Sequence, residues 1–567
     1  MKIHGMLGSM KRRIHSGLAW SLRYLGAAIG AASIVALGAS ACSPEVRDFE
    51  TTGAGGAGGS GGAGCVPDEE RPCYGGPPGT EDMGLCKRGV QICLSNGIDF
   101  GECGGEILPQ PENCMTPEDE ACNGDEPADC PPLDHAWSKG FSIANEVYIR
   151  SIAVDAKTSD IVITGEIRGT IDIGGGPLAT TGSDDILLAK FGPDGTHKWS
   201  KRFGDASSQD SGDVAIDASG NIYLAGTVSG SIDLGGLLLT SAGSNDALVA
   251  KFDPDGNVVW AKLFGDTLSQ SATTIGVTQA GQVVVGGEFQ GGINLGGQPL
   301  LSPTMDTDLF VARLDSSGFH SMSRRFGGMG YEQMIAVALD SQDNIVLTGH
   351  FSGTLDFLGA GVLTAAGSDD VYVAKLLPNG SPEWARRWGD AADQEALGLA
   401  ITPADEVVLS GTMAGIIEFG DGTTLEAAPM ATNAYLVKVT PDGTPVWSKV
   451  LGGPMSGSDW GMNLAVANGR IVVAGWFSEQ IDLGGGPLLA ANASVSPFVA
   501  QLEFDGKHRT SRTYDTAMAA GVLSLGVLPT GDPILAGLSY SPIDFGGGVL
   551  KPNGMEEAVL FLARLLP

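Results

Sequence analysis

The sequence predicts an all-β fold, a seven-bladed β-propeller of four-stranded blades, and three observations carry that expectation. First, a phrase such as Asn221-Ile222-Tyr223-Leu224-Ala225-Gly226 recurs. Its closing glycine stands at Gly165, Gly226, Gly287, Gly349, Gly411, Gly475 and Gly537, a period of 61 to 64 residues. Second, two further phrases keep the same offset. One puts Lys190, Lys251, Arg313, Lys375, Lys438 and Arg564 in a single slot, with Gln501 the exception; the other carries Trp137, Trp199, Trp260, Trp384 and Trp447, with Met322 and Thr510 as substitutes. Third, each repeat holds four short β-rich runs parted by turn signals, as in 214–217, 222–227, 247–252 and 258–264. Fixed periods of this size signal a propeller or a solenoid, and four-stranded antiparallel units fit propeller blades, which hide their sheet faces by packing blade on blade.

Composition bounds what such a chain can do. Hydrophobic residues make up 43% of the 567, so a long core exists despite 86 glycines and 30 prolines. Thirty-three basic against 66 acidic residues leave a net charge of −33. Nucleic-acid binding needs a basic footprint, so no nucleic-acid partner is expected, and an anionic membrane is disfavoured as a direct partner for the same reason.

The N-terminal 41 residues read as an export signal. Lys2, Lys11, Arg12, Arg13 and Arg23 precede an apolar stretch from about residue 25 to 41 that ends in small residues. Ala39-Ser40-Ala41 suits ordinary signal peptidase, and Ala39-Ser40-Ala41-Cys42 resembles a bacterial lipobox, departing from it at Ala39, where Leu is commoner. Both readings cut before Cys42. The chain has nine cysteines, so setting Cys42 apart leaves an even eight, and Cys42 is expected to carry lipid; the alternative is a secreted protein with one spare thiol. Any membrane attachment then runs through Cys42 alone, because no other stretch is long and apolar enough to span.

Residues 42–64 hold the anchor and a Gly/Ala/Ser tether with nothing to bury, expected to act as a flexible spacer. Residues 65–133 hold Cys65, Cys73, Cys86, Cys93, Cys103, Cys114, Cys122 and Cys130 in a segment too poor in apolar residues to be stabilised by burial. In an oxidising compartment that means a small disulfide-rich module, with too many conceivable pairings to choose among. Zinc is disfavoured, since thiolate sites use closer pairs than Cys86 and Cys93. The acidic end of the module, 112–126, resembles a Cys/Asp metal-binding motif of Gram-negative surface proteins but lacks the alternating spacing of a calcium loop. Calcium is compatible with it without being indicated, and no cofactor is expected. The run from Cys73 to Thr80 resembles the opening of a Cys-rich module of predicted lipoproteins.

The propeller is expected over 134–567. A strand around Trp137 has no repeat before it, while the last repeat stops after 558–565 without its own Trp-bearing strand. The N-terminal strand should therefore complete the last blade, which leaves no unpaired edge and favours a monomer. The runs Asp246-Ala247-Leu248-Val249-Ala250-Lys251-Phe252-Asp253-Pro254-Asp255-Gly256 and Asn221 to Gly226 resemble the SBBP-type bacterial β-propeller repeat, over about residues 136 to 567. The resemblance implies a fold and no activity.

In such a blade the loop from the outermost strand to the next blade and the connection between second and third strands emerge on one face, the default binding surface. The inter-blade loops echo Asp205 to Gln209, Asp266 to Gln270 and Asp390 to Gln394. These residues could ring a pore for a glycan, peptide or cation, or could hold their own turns. Asp172, Asp233, Asn294, Asp356, Glu418, Asp482 and Asp544 form a second ring, too widely spread for one calcium and suited to turns. The Lys/Arg slot suggests ion pairs or stems packed between blades, and the Trp slot suggests blade-to-blade packing. His197, His320 and His508 share a slot without a neighbouring nucleophile motif, so no catalytic residue is assigned. Repeat six departs most from the pattern, and its Trp460 and Trp476 are further ligand candidates. The expected function is a cell-envelope lipoprotein, at the outer membrane or cell surface by its anchor and otherwise periplasmic or extracellular. It would display a non-catalytic binding, adhesion or scaffold domain to an envelope or extracellular protein or glycan. The alternative is a secreted polysaccharide hydrolase or lyase using funnel carboxylates, since paired acids can come from distant blades.

Overall fold

The computed structural model describes residues 65–109, 122, 133–143, 146–303, 306–429, 431–453, 459–490, 495–552, 554 and 557–567; Cys42, Cys114 and Cys130 lie outside them. The chain divides into two compact units. In the smaller one Cys65 is bridged to Cys93, Asp68 N–H donates to the Cys93 carbonyl (3.2 Å), and Leu94 N–H donates to the Asp99 carbonyl (2.8 Å). In the larger one a two-stranded ribbon, Glu70–Cys73 against Gly89–Ile92, accompanies the bridges Cys73–Cys103 and Cys86–Cys122.

The larger unit also contains seven blades, each built on four antiparallel strands; in blade 3 the outermost strand, His320–Met329, pairs further with Thr354–Asp356 and so extends the sheet to six strands. Blade 1 runs Glu146–Val154, Ile161–Arg168, Asp185–Phe191 and His197–Phe203, from the axis outward. Blades 2 to 6 repeat it in chain order. Blade 7 takes its three inner strands, Ala520–Val527, Pro533–Ser539 and Ala558–Leu565, from the C-terminus and its outermost strand, His135–Ile143, from the beginning of the ring. The register runs from His135 opposite Leu565 to Ile143 opposite Ala558, so the expected closure by the N-terminal strand is present.

The third strands show why the fold reads as apolar runs rather than alternation. Every residue of Asp185–Phe191, Asp246–Phe252, Asp308–Leu314, Asp370–Leu376 and Asn433–Val439 is buried, because both faces of each blade are covered by neighbours. Ile186 and Leu188 pack with Leu224 and Leu248 of blade 2, while Leu187 and Ala189 pack with Leu560 and Leu562 of blade 7. Burying each such side chain contributes roughly 1.5–3 kcal/mol.

The recurring glycine has a local cause. In six blades the innermost strand bulges directly after the residue opposite it, for example between Met334 and Ala336 opposite Gly349 and Thr348. A Cβ on Gly349 would lie 1.9 Å from the Gln333 carbonyl oxygen, and one on Gly287 would lie 1.9 Å from that of Ser271. The bulged backbone occupies the space a side chain would need.

Seams between blades are closed by the Trp slot. Each indole Nε1 donates to a carbonyl on the next blade's outer turn: Trp137 to Pro193 (2.8 Å), Trp199 to Pro254 (3.1 Å), Trp260 to Ser316 (3.1 Å), Trp384 to Pro441 (3.0 Å) and Trp447 to Phe504 (3.1 Å). Below each ring lies a left-handed turn glycine, such as Gly443 (φ 79°), whose Cβ would meet Trp384 at 2.9 Å. The Lys/Arg slot pins the inner turns: Lys190 to Asp160 (3.1 Å), Lys375 to Asp340 (3.0 Å), Lys438 to Glu406 (2.9 Å) and Arg564 to Asp532 (2.5 Å).

Candidate functional site

The inter-blade loops and the second-to-third-strand hairpins share one face, and the structure shows what their repeated polar residues do. The Gln209 amide donates to Asp205 Oδ1 (3.0 Å) and to the Ser229 carbonyl (2.7 Å), while its Oε1 accepts Asp205 N–H (3.0 Å). Asp205 also accepts Ser207 N–H (2.7 Å) and Ser231 N–H (2.9 Å). The same clasp recurs at Asp266 and Gln270, where Leu268 and Gly292 donate, and at Asp390 and Gln394, where Ala392 and Ile416 donate. All three glutamines are fully buried. Burial pulls the Asp205 carboxyl upward, but the N–H groups of Ser207 and Ser231 and the Gln209 amide outweigh it and hold it below the ordinary carboxylate value. These six residues fasten the loop to the following hairpin.

The three clasps rest on buried acids at the starts of the preceding blades' third strands, Asp185, Asp246 and Asp370. Asp185, Asp308 and Asp370 are paired to Arg202, Arg325 and Arg387 of the outermost strand. A Cβ on Gly204 would lie 2.2 Å from Asp185 Oδ1, which explains the glycine preceding Asp205.

Blade 4 carries Glu332 where the other clasps carry Gln, a member of the slot that the Asp-to-Gln echo passes over because its loop lacks the Asp. Glu332 is fully buried; its Oε1 accepts Gly328 N–H (3.2 Å), while Oε2 and the Asp308 Oδ1 are buried acceptors without a hydrogen-bond donor. Burial first, and the Asp308 charge second, push the Glu332 carboxyl up to about 8. A proton held on Glu332 removes the repulsion between the two. The folded chain thus keeps a proton that the unfolded chain releases near 4.5, so stability falls as pH rises between those two values. Glu332→Gln is expected to flatten that loss, stabilising the protein at about pH 8 by a few kcal/mol relative to about pH 5. Urea unfolding at both pH values reads this directly; an unchanged pH slope would count against it.

Around the axis, one slot of the innermost strands pairs with the residue after the recurring glycine. The pairs are Tyr148–Glu166, Asp210–Thr227, Ser271–Glu288, Gln333–His350, Glu395–Thr412, Trp460–Trp476 and Gly521–Leu538. Five blades present polar groups and two present apolar ones. Arg150 Nε donates to Glu166 Oε1 (2.9 Å), Thr227 and Ser271 hydroxyls bond across a seam (2.5 Å), and Met334 N–H donates to Glu288 Oε1 (2.8 Å). Burial pushes Glu166 up to about 7, against the pull of Arg150, and Glu288 up to about 8. Trp476 is 3% exposed and packs against Gly521 of blade 7, so its ring fills a seam. Trp460 pairs with it through the backbone; its side chain is not among the described groups.

The second ring caps its hairpins. Asp172 Oδ1 accepts Gly174 and Gly176 N–H (2.8 and 3.1 Å), Asp482 accepts Gly484 and Gly486 N–H (2.8 and 3.2 Å), and Asp544 accepts Gly546 and Gly548 N–H (2.7 and 3.1 Å). The His slot has a fourth member, His135, hidden in sequence because the closing strand precedes the repeats. His135, His197, His320 and His508 each bond the serine three residues on (3.0–3.1 Å) and pack on a hairpin glycine. Among the described residues no group of three His, Cys, Asp or Glu gathers to hold a metal ion.

Comparison with known proteins adds the repeat type. Residues 198–232 match the SBBP β-propeller repeat. In this structure the matched SBBP stretch spans the outermost strand of blade 1, the Asp205–Gln209 clasp and the second strand of blade 2. The regulatory protein FlaEY of Caulobacter vibrioides is 23% identical over 323 residues, 52% of this chain and 33% of that protein. An uncharacterized WD repeat-containing protein of Acanthamoeba polyphaga mimivirus is 27% identical over 239 residues, 34% of this chain and 17% of its own. The chain thus spans a third or less of these relatives. The Neurospora crassa Pan2 WD40 domain aligns with a TM-score of 0.37 at 10% identity, over 74% of this chain and 89% of that one. A protein of unknown function from Dyadobacter fermentans aligns at 0.34 and 12%, over 65% and 99%.

Proposed function

We propose that this chain is an exported cell-envelope lipoprotein, anchored through Cys42, whose propeller is a binding or scaffold module. The observation that carries the binding reading is the way the repeats use their polar residues. Clasps, hairpin caps, Trp–carbonyl locks and Lys–acid pins recur blade after blade, making a rigid ring whose outer surfaces are free to differ between blades. A β-propeller suits such a role, and the Caulobacter relative bears the name of a regulatory protein. The polysaccharide-cleaving alternative would draw on carboxylates of the loop face. The three clasp carboxylates there are bonded to their own turns, and the raised Glu332 beside Asp308 is fully buried.

Anchoring rests on the Ala39-Ser40-Ala41-Cys42 stretch and the tether after it. Expression of wild type and Cys42→Ala in a Gram-negative host, followed by intact mass and membrane partition, tests it. The wild type is expected to carry a diacyl- or triacyl-sized increment and to reside in the membrane fraction, with both lost in the variant. An unmodified, soluble product from both chains would remove the anchor from the account.

A further inference from the structure

Two seams lack the indole that closes the other five, at Met322 and at Thr510, and of these only the Met322 seam keeps its third-strand cation. Between blades 3 and 4 the Trp slot holds Met322, so the outer turn of blade 4 is present, with Gly380 lying against the Met322 sulfur, but no indole donates to it. The neighbouring slot is altered as well. In blades 1, 2, 4, 5 and 7 the third-strand cation has a carboxylate partner at one end of the inner turn, whereas both ends in blade 3 are uncharged, Thr278 and Gln282. Arg313 there is 5% exposed and bonds only the Gln282 amide oxygen (3.2 Å) and the Asp343 carbonyl (2.6 Å). Its Nε is buried without an acceptor.

The two changes open a groove of about 860 Å³ along the outermost strand of blade 3. Arg313, Arg324, Arg325 and His320 line it, and no carboxylate does, in a chain whose net charge is −33. Arg325 is neutralised by Asp308 (2.5 Å). Arg324 bonds the carbonyls of Ser323 and Asn379 (3.0 and 3.1 Å) and forms no salt bridge among the described residues, while Arg313 feels the Asp343 charge without a salt bridge to it. The corresponding cleft of blades 1 and 2, about 440 Å³, shows the ordinary arrangement: Trp199 is in place and Asp160 sits between Lys190 (3.1 Å) and Lys198 (2.5 Å).

We propose that this blade 3–blade 4 groove binds an extended acidic peptide segment of a partner protein. Guanidinium forks match carboxylates in geometry as well as charge, which sets the sign of the ligand. Leu300, Met322, Leu358 and Pro378 supply apolar contacts along the groove, with Met322 able to adapt its shape to the side chain it meets. No Phe, Tyr or Trp ring lines it to stack on a sugar, which favours a peptide over an acidic oligosaccharide.

The test uses the full mature chain and a dye-labelled peptide of alternating Glu and Val, followed by fluorescence anisotropy, with a galacturonate hexamer as competitor. Saturable binding is expected to weaken about tenfold or more in Arg324→Glu, a charge reversal at a half-buried groove residue, and in Met322→Trp. The second variant restores the residue that fills five of the other six seams and is expected to keep or raise the melting temperature, so its loss of binding cannot be laid to misfolding. The galacturonate is expected to compete weakly. No saturable peptide binding, equal affinity in wild type and Met322→Trp, or tighter binding of the galacturonate would each overturn the proposal.

Discussion

Deleting residues 133–143 is expected to abolish cooperative folding of the propeller while leaving every complete repeat in the chain. The closing strand buries Leu133, Trp137 and Ile143, a loss of roughly 5–9 kcal/mol at 1.5–3 kcal/mol for each side chain. That is comparable with the whole stability of a typical domain, about 5–15 kcal/mol. It also strips Ala558–Leu565 of one of its two pairing partners, and an apolar strand left with an open edge is a template for aggregation. The seam to blade 1 is lost in the same step, because Trp137 donates to the Pro193 carbonyl there. Thermal unfolding with light scattering reads the result. A melting temperature within a few degrees of wild type would mean that blade 7 stands without its fourth strand.

The second large effect is expected at a single indole. Trp384→Ala removes a ring 7% exposed, its bond to the Pro441 carbonyl (3.0 Å), its contact with Gly443 and its stacking under Arg386 at 5.6 Å. Replacing a buried Trp by Ala costs about 3–5 kcal/mol. Gly443→Val attacks the same seam from the other side, since its left-handed backbone and the 2.9 Å approach of the ring leave no room for a side chain. Because the two sites share one contact, the double variant should cost less than the sum of the singles. Additive losses in urea unfolding would show that the indole and the turn act independently.

How far the sequence could be read depends on the kind of feature. Features set by repetition were legible: the glycine phrase counted seven blades, and the unmatched strand at Trp137 together with the unfinished repeat at 558–565 implied closure. The roles of the Trp and Lys/Arg slots followed as well, because a residue recurring at one strand position in most blades usually does the same structural job each time. What stayed hidden depends on partners far apart in the chain. The closing glycine is explained only by the bulge across from it, and His135 joins its slot only once the N-terminal strand is placed in blade 7. Glu332 looks like an ordinary acid until burial and Asp308 are set around it. Met322 was visible as a substitute for Trp, but its meaning required seeing that Thr278 and Gln282 remove the acid from the same seam. Trp476, singled out as a possible ligand contact, lies instead in a seam against Gly521. Three cysteine pairs, Cys65–Cys93, Cys73–Cys103 and Cys86–Cys122, could not be chosen from spacing, since spacing carries no information about the path between them.

The propeller is a ring closed by its own first strand, and amide hydrogen exchange tests that most directly. The amides of residues 137–143 that face Ala558–Leu565 are expected to be protected to the same degree as those of 558–565, and both sets should lose protection together as denaturant is raised. Exchange of 137–143 within seconds while 558–565 stays protected would contradict it.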